Sequence, residues 1–595
     1  MSGGRAAKDL FTVEVMQKLL LAAAEEMGTT LVRTAYSPNI KERRDASAAV
    51  FDAEGHVIAQ AAHIPMHLSS MMELPRVLAE AYPPASWRPG DMFVANDPYA
   101  GAGSHLNDIA VIAPVFVGGR VIAFVANTAH HADVGGRVPG SESGDSTSIF
   151  QDGLRLPVAR IVSRGRIEDG LLRTILLNSR TPQERIGDLK AQLAANRAGG
   201  QRLTEINAQY GPDILGESMR EILDYTERRT RQGIAAMPDG VYESEGFCDD
   251  DGLTARPVRI RVAVTVRGDR IALDFSGTDS QIQGAKNVPT VSLLATVYYV
   301  LKAVIDPDIP PNAGYYRAIT VHVPPGTVLN PLPPAAVAAR FTTCQKVADV
   351  ILSAFARSVP ERVVAHCHGG TLAIYSGTNP RTGEFFVDYE VYAGGSGARS
   401  TKDGMDGIAN HTTNTSNLPI EALETEFPLV VERYELQPDS GGPGKFRGGL
   451  AIVREVRGLD GDLTVGGWGC DHRIPAQGLF GGGAGVPGGF HVLGREGRVE
   501  TTVRSTVPGL RLPVGRRLRI VTSGGGGFGD PLDRDPALVA RDLAAGKVSP
   551  AAAEAAYGVV LRAGEVDLDA TRRLRAERRS AAHSRTPSAN PSQGA

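Results

Sequence analysis

The stretch GDMFVANDPYAGAGSHLNDIAVIAPVFVGGRVIAFVANTAHHADVGG, residues 90–136, decides how this chain folds. Two β-prone runs, DIAVIAPVFV (108–117) and RVIAFVAN (120–127), are parted only by Gly118-Gly119. A two-residue Gly-Gly loop suits the turns whose twist matches that of flanking strands, so the segment predicts an antiparallel hairpin. With Val117 opposite Arg120, Asp108 falls opposite residue 129 and His105 opposite residue 132. The open end of the hairpin then gathers His105, Asp108, His130, His131 and Asp133. Imidazoles and a carboxylate meeting at one place are what a divalent metal requires, and N/O donors suit Mn, Zn or Fe alike. Strict alternation puts His131, not His130, on the face of Asp108. A loop-like strand end need not keep alternation, so both histidines stay in play. The plainer reading is that histidines at a hairpin end simply cap backbone groups.

Outward from the hairpin, apolar residues at helical spacing predict a long amphipathic helix over 12–35, and ASAAVFDAEGHVIAQ (46–60) predicts a second hairpin. A helix is expected over 66–82, ending at Pro83, and mainly helical structure over 168–235, with Pro182 in a first helical turn. From 239 the texture changes to alternating strands such as VRIRVAVTVRG, with helices expected at 290–306 and 343–358. Residues 363–398 and 425–530 read as strand and turn with dense glycine, and helix resumes from 534. The fold class is therefore mixed α/β (α+β) and multidomain, with antiparallel β-rich sheets and helical segments. The expected divisions are 1–237 (holding the hairpin and a helical segment at 168–237), a central α+β region 238–420, a glycine-rich β region 421–545, a helical segment 546–576 and a disordered tail 577–595.

Composition narrows the function classes. Glycine (69) and proline (38) make 107 of 595 residues, about 18% against a typical ~12%, which disfavours a helix bundle. A net charge of -3 supplies no field for nucleic acid or an anionic membrane. No run of 18 or more apolar residues and no signal-peptide core are present, so a cytoplasmic protein is expected. Cys248, Cys344, Cys367 and Cys470 are far apart without a CxxC pattern, which predicts neither a disulfide framework nor a cysteine zinc site.

Other motifs are weaker. The run from Ser523 to Pro531 holds a formal GxGxxG, but Asp530-Pro531 follows at once and no helix can open where a dinucleotide site needs one; a tight structural loop is expected. His366 and His368 would share one face of a strand, as a second ligand pair or, more simply, as buried structural histidines. Asp97, before Pro98, is either an acid/base group or an Asx-turn residue.

These segments together resemble the hydantoinase B (HyuB) family of ATP-dependent enzymes, which includes the C-terminal half of 5-oxoprolinases and related components of acetone and acetophenone carboxylases. The resemblance rests on residues 90–136 together with ERRDASAAVFDAEGHVIAQ (42–60), PMHLSSM (65–71), FQDGLRLPVARI (150–161), DFSGTDSQIQGAKNVP (274–289), SNLPIEALETEFPLVVERYELQPDSGGPGKFRGG (416–449) and SGGGGFGDP (523–531). It departs from the family's expected Glu at Asp152, which keeps the charge on a shorter side chain. The likeness implies an enzyme subunit that hydrolytically opens a cyclic amide of hydantoin or oxoproline type, in a hetero-oligomer with an A-type, actin-like ATPase subunit that binds ATP and Mg. It also implies a divalent metal held by His105, Asp108 and His130, with His131 as alternate. In that setting Asp97, His131 and Asp133 are the expected catalytic or ligand-orienting groups. Asn96, Ser104 and Asn107 are the expected contacts to a ring amide. The glycines of 441–449 and 523–529 would offer backbone amides to an anionic intermediate. A ketone carboxylase subunit and a non-catalytic stabilising subunit are the alternatives.

Overall fold

In the computed structural model, which describes residues 10–61 and 63–585, Gly118 and Gly119 both take positive φ, 56° and 78°. They close the hairpin of strands Asp108–Val117 and Arg120–His130. That hairpin is the centre of a seven-stranded antiparallel sheet. Arg120–His130 pairs with Ala46–Asp52, which pairs with Val57–Gln60; Asp108–Val117 pairs with Met92–Ala95, which leads to Ala159–Ser163 and Arg166–Ile167.

The two central strands are nearly continuous in apolar residues because both faces of the sheet are covered. On one face Val111 and Val125 pack with Met27 of helix Leu10–Thr34 and Leu193 of helix Pro182–Tyr210. On the other, Ile112 and Phe124 pack with Leu78 of helix Leu74–Ala81 and with Trp87. Each such side chain contributes roughly 1.5–3 kcal/mol by leaving water. Helix Pro182–Tyr210 is also fixed by buried amides. Gln192 Nε2 donates to the Ile109 carbonyl (2.7 Å), Asn196 Nδ2 to the Val111 carbonyl (3.0 Å), and Asn127 Nδ2 to the Gln192 carbonyl (2.9 Å). These bonds lock the helix to one register over the hairpin.

The central region forms a four-stranded sheet in the order Ile319–His322, Arg270–Asp274, Val258–Arg267, Gly240–Cys248. Helices Thr290–Ile305 and Arg340–Phe355 lie in the same core as its buried face. Two further sheets follow. One has the order Phe385–Tyr392, Thr371–Thr378, Leu463–Gly469, Thr506–Leu512, so strands on both sides of the expected boundary at 420/421 share a sheet. The other joins Leu429–Leu436, Ile452–Gly458, Arg517–Val521, Gly489–Leu493 and Val499–Val503. The mixed α/β, multi-sheet architecture agrees with the expectation.

Three local readings are corrected. The helix expected over 66–82 is two helices, Pro65–Ser70 and Leu74–Ala81, because Pro75 cannot donate a backbone bond and sits instead in a first turn. The expected tail is helical as far as Arg585, within helix Leu568–Arg585, where alanine and arginine favour the helix; residues 586–595 lie outside the described residues. The dense glycine is a packing device. Segments 395–397, 441–449, 482–485 and 524–529 run against one another so closely that a Cβ on Gly525 would come within 2.0 Å of the Ser396 carbonyl oxygen. Their amides are taken up by this stack: Gly525 N donates to Gly449 O (3.0 Å), Gly526 N to His366 O (2.8 Å) and Gly527 N to Gly483 O (2.9 Å). They are not turned toward an anionic ligand. No described helix is long and apolar enough to cross a membrane.

Candidate metal centre

The hairpin register departs from the turn-based expectation. Phe116 still faces Val121, but Val115 faces Ala123, so Ile122 is an extra residue in its strand. This bulge moves every later pair by one, and Asp108 lies opposite His130 rather than residue 129. His130 therefore joins the Asp108 face. His131 turns to the helix side, where its Nε2 lies 3.0 Å from Gln192 Oε1 and burial, with Arg185 nearby, lowers its pKa to about 4.

At the open end, His105 Nε2 lies 3.1 Å from Asp108 Oδ1 and 3.2 Å from His130 Nδ1, while His130 Nδ1 is 3.4 Å from Asp108 Oδ1. All three side chains are buried, with ligand atoms within 4.8 Å of one another. Two residues that sequence patterns do not single out complete the group. His67, from helix Pro65–Ser70, places Nε2 3.3 Å from Asp108 Oδ1 and 3.6 Å from Asp45 Oδ1. Asp45 precedes the strand whose Ala46 pairs with Ala129, which brings it beside His130. Both lie in quoted segments, ERRDAS and PMHLSSM, but only the sheet order shows that they meet the hairpin.

These donors fit a divalent cation. Metal bonds of about 2.0–2.2 Å to nitrogen and oxygen set neighbouring ligands roughly 3.3–3.5 Å apart in a tetrahedron. The separations here are close to that, and two imidazole nitrogens facing one carboxylate oxygen at bonding distance are readily reconciled by a shared cation. His105, Asp108 and His130 would hold it, with His67 and Asp45 at its edge.

A second layer orients these side chains. Arg340 donates from Nε to Ser104 Oγ (2.9 Å) and places Nη2 3.3 Å from Asp108 Oδ2, while Ser104 also bonds Asp108 Oδ2. Oδ1 is thereby left for the histidines. Glu142 Oε1 lies 2.7 Å from His105 Nδ1, and Glu142 Oε2 accepts from the Tyr389 hydroxyl at 3.0 Å. The Tyr389 ring packs on His130 with centroids 4.5 Å apart. Burial alone would raise the Asp108 carboxyl, but His105 and His67 beside it hold it well below the ordinary carboxylate range. Burial and Arg340 oppose a proton on His105; Asp108 and Glu142 outweigh them and its pKa is raised. Burial lifts the Asp152 carboxyl to about 7, with Ser146 pulling the other way and Glu142 adding to the rise.

Several expected site residues have other partners. Asp97 pairs with Arg155 at 2.8 Å and accepts from the Tyr99 amide at 3.0 Å, which makes it the Asx-turn residue. Asp133 accepts from the Gly140 amide (3.1 Å) and from Arg180 through its amide and Nη1 (both 2.9 Å), so it braces the loop. Asn96 is bonded to Leu106 O, Leu154 O and Leu156 N, and Asn107 Nδ2 to His131 O and Gly140 O. Both asparagines shape the loop rather than present an amide to a ligand. Ser104 alone of that trio touches the centre. His366 and His368 do not act as a pair: His366 Nε2 meets Ser353 Oγ (2.9 Å) and His368 Nδ1 meets Ser523 Oγ (2.8 Å), and burial lowers the pKa of each, that of His368 to about 3.

A cavity of 40 Å³ adjoins the centre, lined among others by Asp45, His67, His130, Arg340, Tyr389 and Thr412. That is room for about one water molecule. Ile64 and Thr413 also face this cavity, while their neighbours His63, Pro65 and Asn414 line an apolar pocket of 470 Å³ walled by Tyr298, Tyr299, Tyr315 and Tyr316. The same two stretches of chain therefore part the pocket from the centre.

Comparison with known proteins places this architecture. The family model described as hydantoinase B/oxoprolinase matches residues 9–531. The B subunit of a putative D-/L-hydantoinase from Pseudomonas sp. (strain NS671) is 32% identical over 590 residues, covering 95% of this chain and 98% of that protein. The crystal structure of ATP-dependent caprolactamase from Pseudomonas jessenii superposes with a TM-score of 0.88 at 29% identity, over 96% of this chain and 100% of that one. A nucleotide-free acetone carboxylase structure shares the fold, with a TM-score of 0.89 at 21% identity over 97% of this chain and 84% of that one. A match across nearly the whole chain, in sequence and in fold, shows that this protein belongs to the hydantoinase B/oxoprolinase family.

Proposed function

We propose that the chain is the B-type component of an ATP-dependent enzyme that hydrolytically opens a cyclic amide of hydantoin or oxoproline type at a divalent-metal centre, with an A-type partner subunit using the ATP. The observation that carries this reading is the buried convergence of His105, Asp108 and His130, in a chain whose relatives are named as a putative hydantoinase and an ATP-dependent caprolactamase.

Ring opening joins water to the amide carbonyl carbon, breaks the C–N bond and delivers a proton to the departing nitrogen. A cation held by His105, Asp108 and His130 would supply Lewis-acid polarisation of oxygen; zinc, manganese and iron all accept these donors. The chain's own residues do the rest. Arg340 and Ser104 keep Asp108 Oδ1 facing inward, and Glu142 and Tyr389 orient His105. Asp152, whose carboxyl burial lifts to about 7 and which Glu142 beside the centre influences, is the group we assign to proton transfer, in place of Asp97 and Asp133, which are paired to Arg155 and Arg180.

The test is to co-purify the chain with its ATPase partner and to measure ATP-dependent opening of hydantoin, 5-oxoproline and caprolactam. Ring opening that disappears in His105→Ala and Asp108→Asn supports the reading. Unchanged turnover in those variants, or turnover by the isolated chain without ATP, refutes it.

A further inference from the structure

A second buried cluster joins three segments distant in sequence. Asp349 lies on helix Arg340–Phe355, Cys367 follows the short helix Pro360–Arg362, and His411 precedes helix Ile420–Glu426. Their ligand atoms all lie within 4.8 Å of one another and all three residues are buried. His411 Nε2 is 2.9 Å from Asp349 Oδ1, and the Cys367 amide donates to the same oxygen at 3.0 Å. The Gly397 amide donates to Cys367 Sγ at 3.2 Å, which fixes where the sulfur points.

Two atoms there are buried without a hydrogen-bond partner: Asp349 Oδ2 and His366 Nδ1. They face each other at 3.9 Å. That is too far for a hydrogen bond and a few tenths of an ångström wider than neighbouring ligands of a tetrahedral ion, so a small closing movement of His366 would complete the set. Asp349 Oδ2 and Asp471 Oδ1 lie 3.7 and 3.1 Å from the single ammonium of Lys346. A divalent ion with a Cys367 thiolate would take the place of the proton that His411 shares with Asp349 and leave the group neutral.

We propose that Asp349, Cys367 and His411, with His366 as fourth ligand, form a second divalent-cation site. One thiolate, two imidazoles and one carboxylate in a closed, buried set select zinc in a structural role. Binding releases the Cys367 proton and any proton on His411 to solvent. The ion ties helix Arg340–Phe355, whose first residue holds Asp108, to the 410–415 loop, whose Thr412 and Thr413 line the cavity beside the first centre. It therefore braces that wall without touching substrate.

The test uses the full-length chain, stripped of metal and titrated with cobalt(II), alongside metal content of the protein as purified. The wild type should take up two equivalents and show the near-ultraviolet thiolate-to-cobalt absorption. His105→Ala should lose one equivalent and keep that band. Cys367→Ser, His411→Ala and Asp349→Asn should each lose one equivalent, with the band abolished in Cys367→Ser. A single equivalent in the wild type with no thiolate band overturns the proposal, as does an unchanged band in Cys367→Ser. Should the variants fail to fold, the wild-type stoichiometry and band decide alone. Loss of metal in His105→Ala reports on the first centre separately.

Discussion

Glu142→Gln tests how the first centre is tuned. Glu142 Oε1 sits 2.7 Å from His105 Nδ1, and Oε2 accepts from Tyr389 at 3.0 Å. Glu142 Oε1 and His105 Nδ1 are close but out of hydrogen-bond alignment, so Glu142 acts on the ring through its charge, favouring the proton on Nδ1 and leaving the Nε2 lone pair facing Asp108 and His130. Glutamine offers one acceptor and one donor. If its oxygen stays with Tyr389, its amide hydrogens face Nδ1 and drive the proton to Nε2, into the ligand position. If it turns over, Tyr389 is left buried without an acceptor. Replacing such an outer partner costs about 10–100-fold in metal affinity, equivalent to about 1.4–2.7 kcal/mol. Tyr389→Phe leaves the carboxylate in place and should cost less. The assay is competition between metal-free full-length protein and a chromogenic chelator. Wild-type affinity in Glu142→Gln, in a protein whose His105→Ala form has lost the first centre's equivalent of metal, would show that Glu142 does not orient His105.

Further predictions follow from particular contacts. His130→Gln should abolish metal binding at the first centre while His131→Gln retains it, measured by metal content; the reverse result would mean that the Ile122 bulge does not set the register in solution. Asp152 has a folded pKa raised to about 7, so its contribution to stability is full below pH 4 and is lost as pH rises through 7. Thermal melting of Asp152→Asn across that range should show a flatter pH dependence than the wild type, the difference reaching on the order of 4 kcal/mol. Gly525→Ala has no room beside Ser396, whereas Gly461→Ala meets nothing within 4 Å. The first should collapse soluble yield and the second leave it unchanged; equal yields would discount the glycine stack.

Much of the fold was legible because it is written locally. The β-prone runs bounded by Gly118-Gly119, the helical spacing of residues 12–35 and Pro182 at a helix start each act over a few residues, and the structure keeps them. Asp108 and the two histidine candidates were legible for the same reason: a hairpin brings its own ends together. The pairings of Asp97 with Arg155 and of Asp133 with Arg180 were not legible, because the partners lie 58 and 47 residues away and no pattern announces such a meeting.

Residue types, spacing and turn chemistry by themselves determined the mixed α/β class, the central hairpin and the donor types at its open end. The tertiary structure alone decided which donors meet. The single extra residue at Ile122 chose His130 over His131, because a one-residue shift moves side chains to the opposite face. Sheet order brought Asp45 and His67 to Asp108, and packing of a helix against two loops gathered Asp349, Cys367 and His411 where cysteine spacing predicted no metal site. Sequence separation carries no information about such meetings; they follow from how the sheets and helices close on their shared cores.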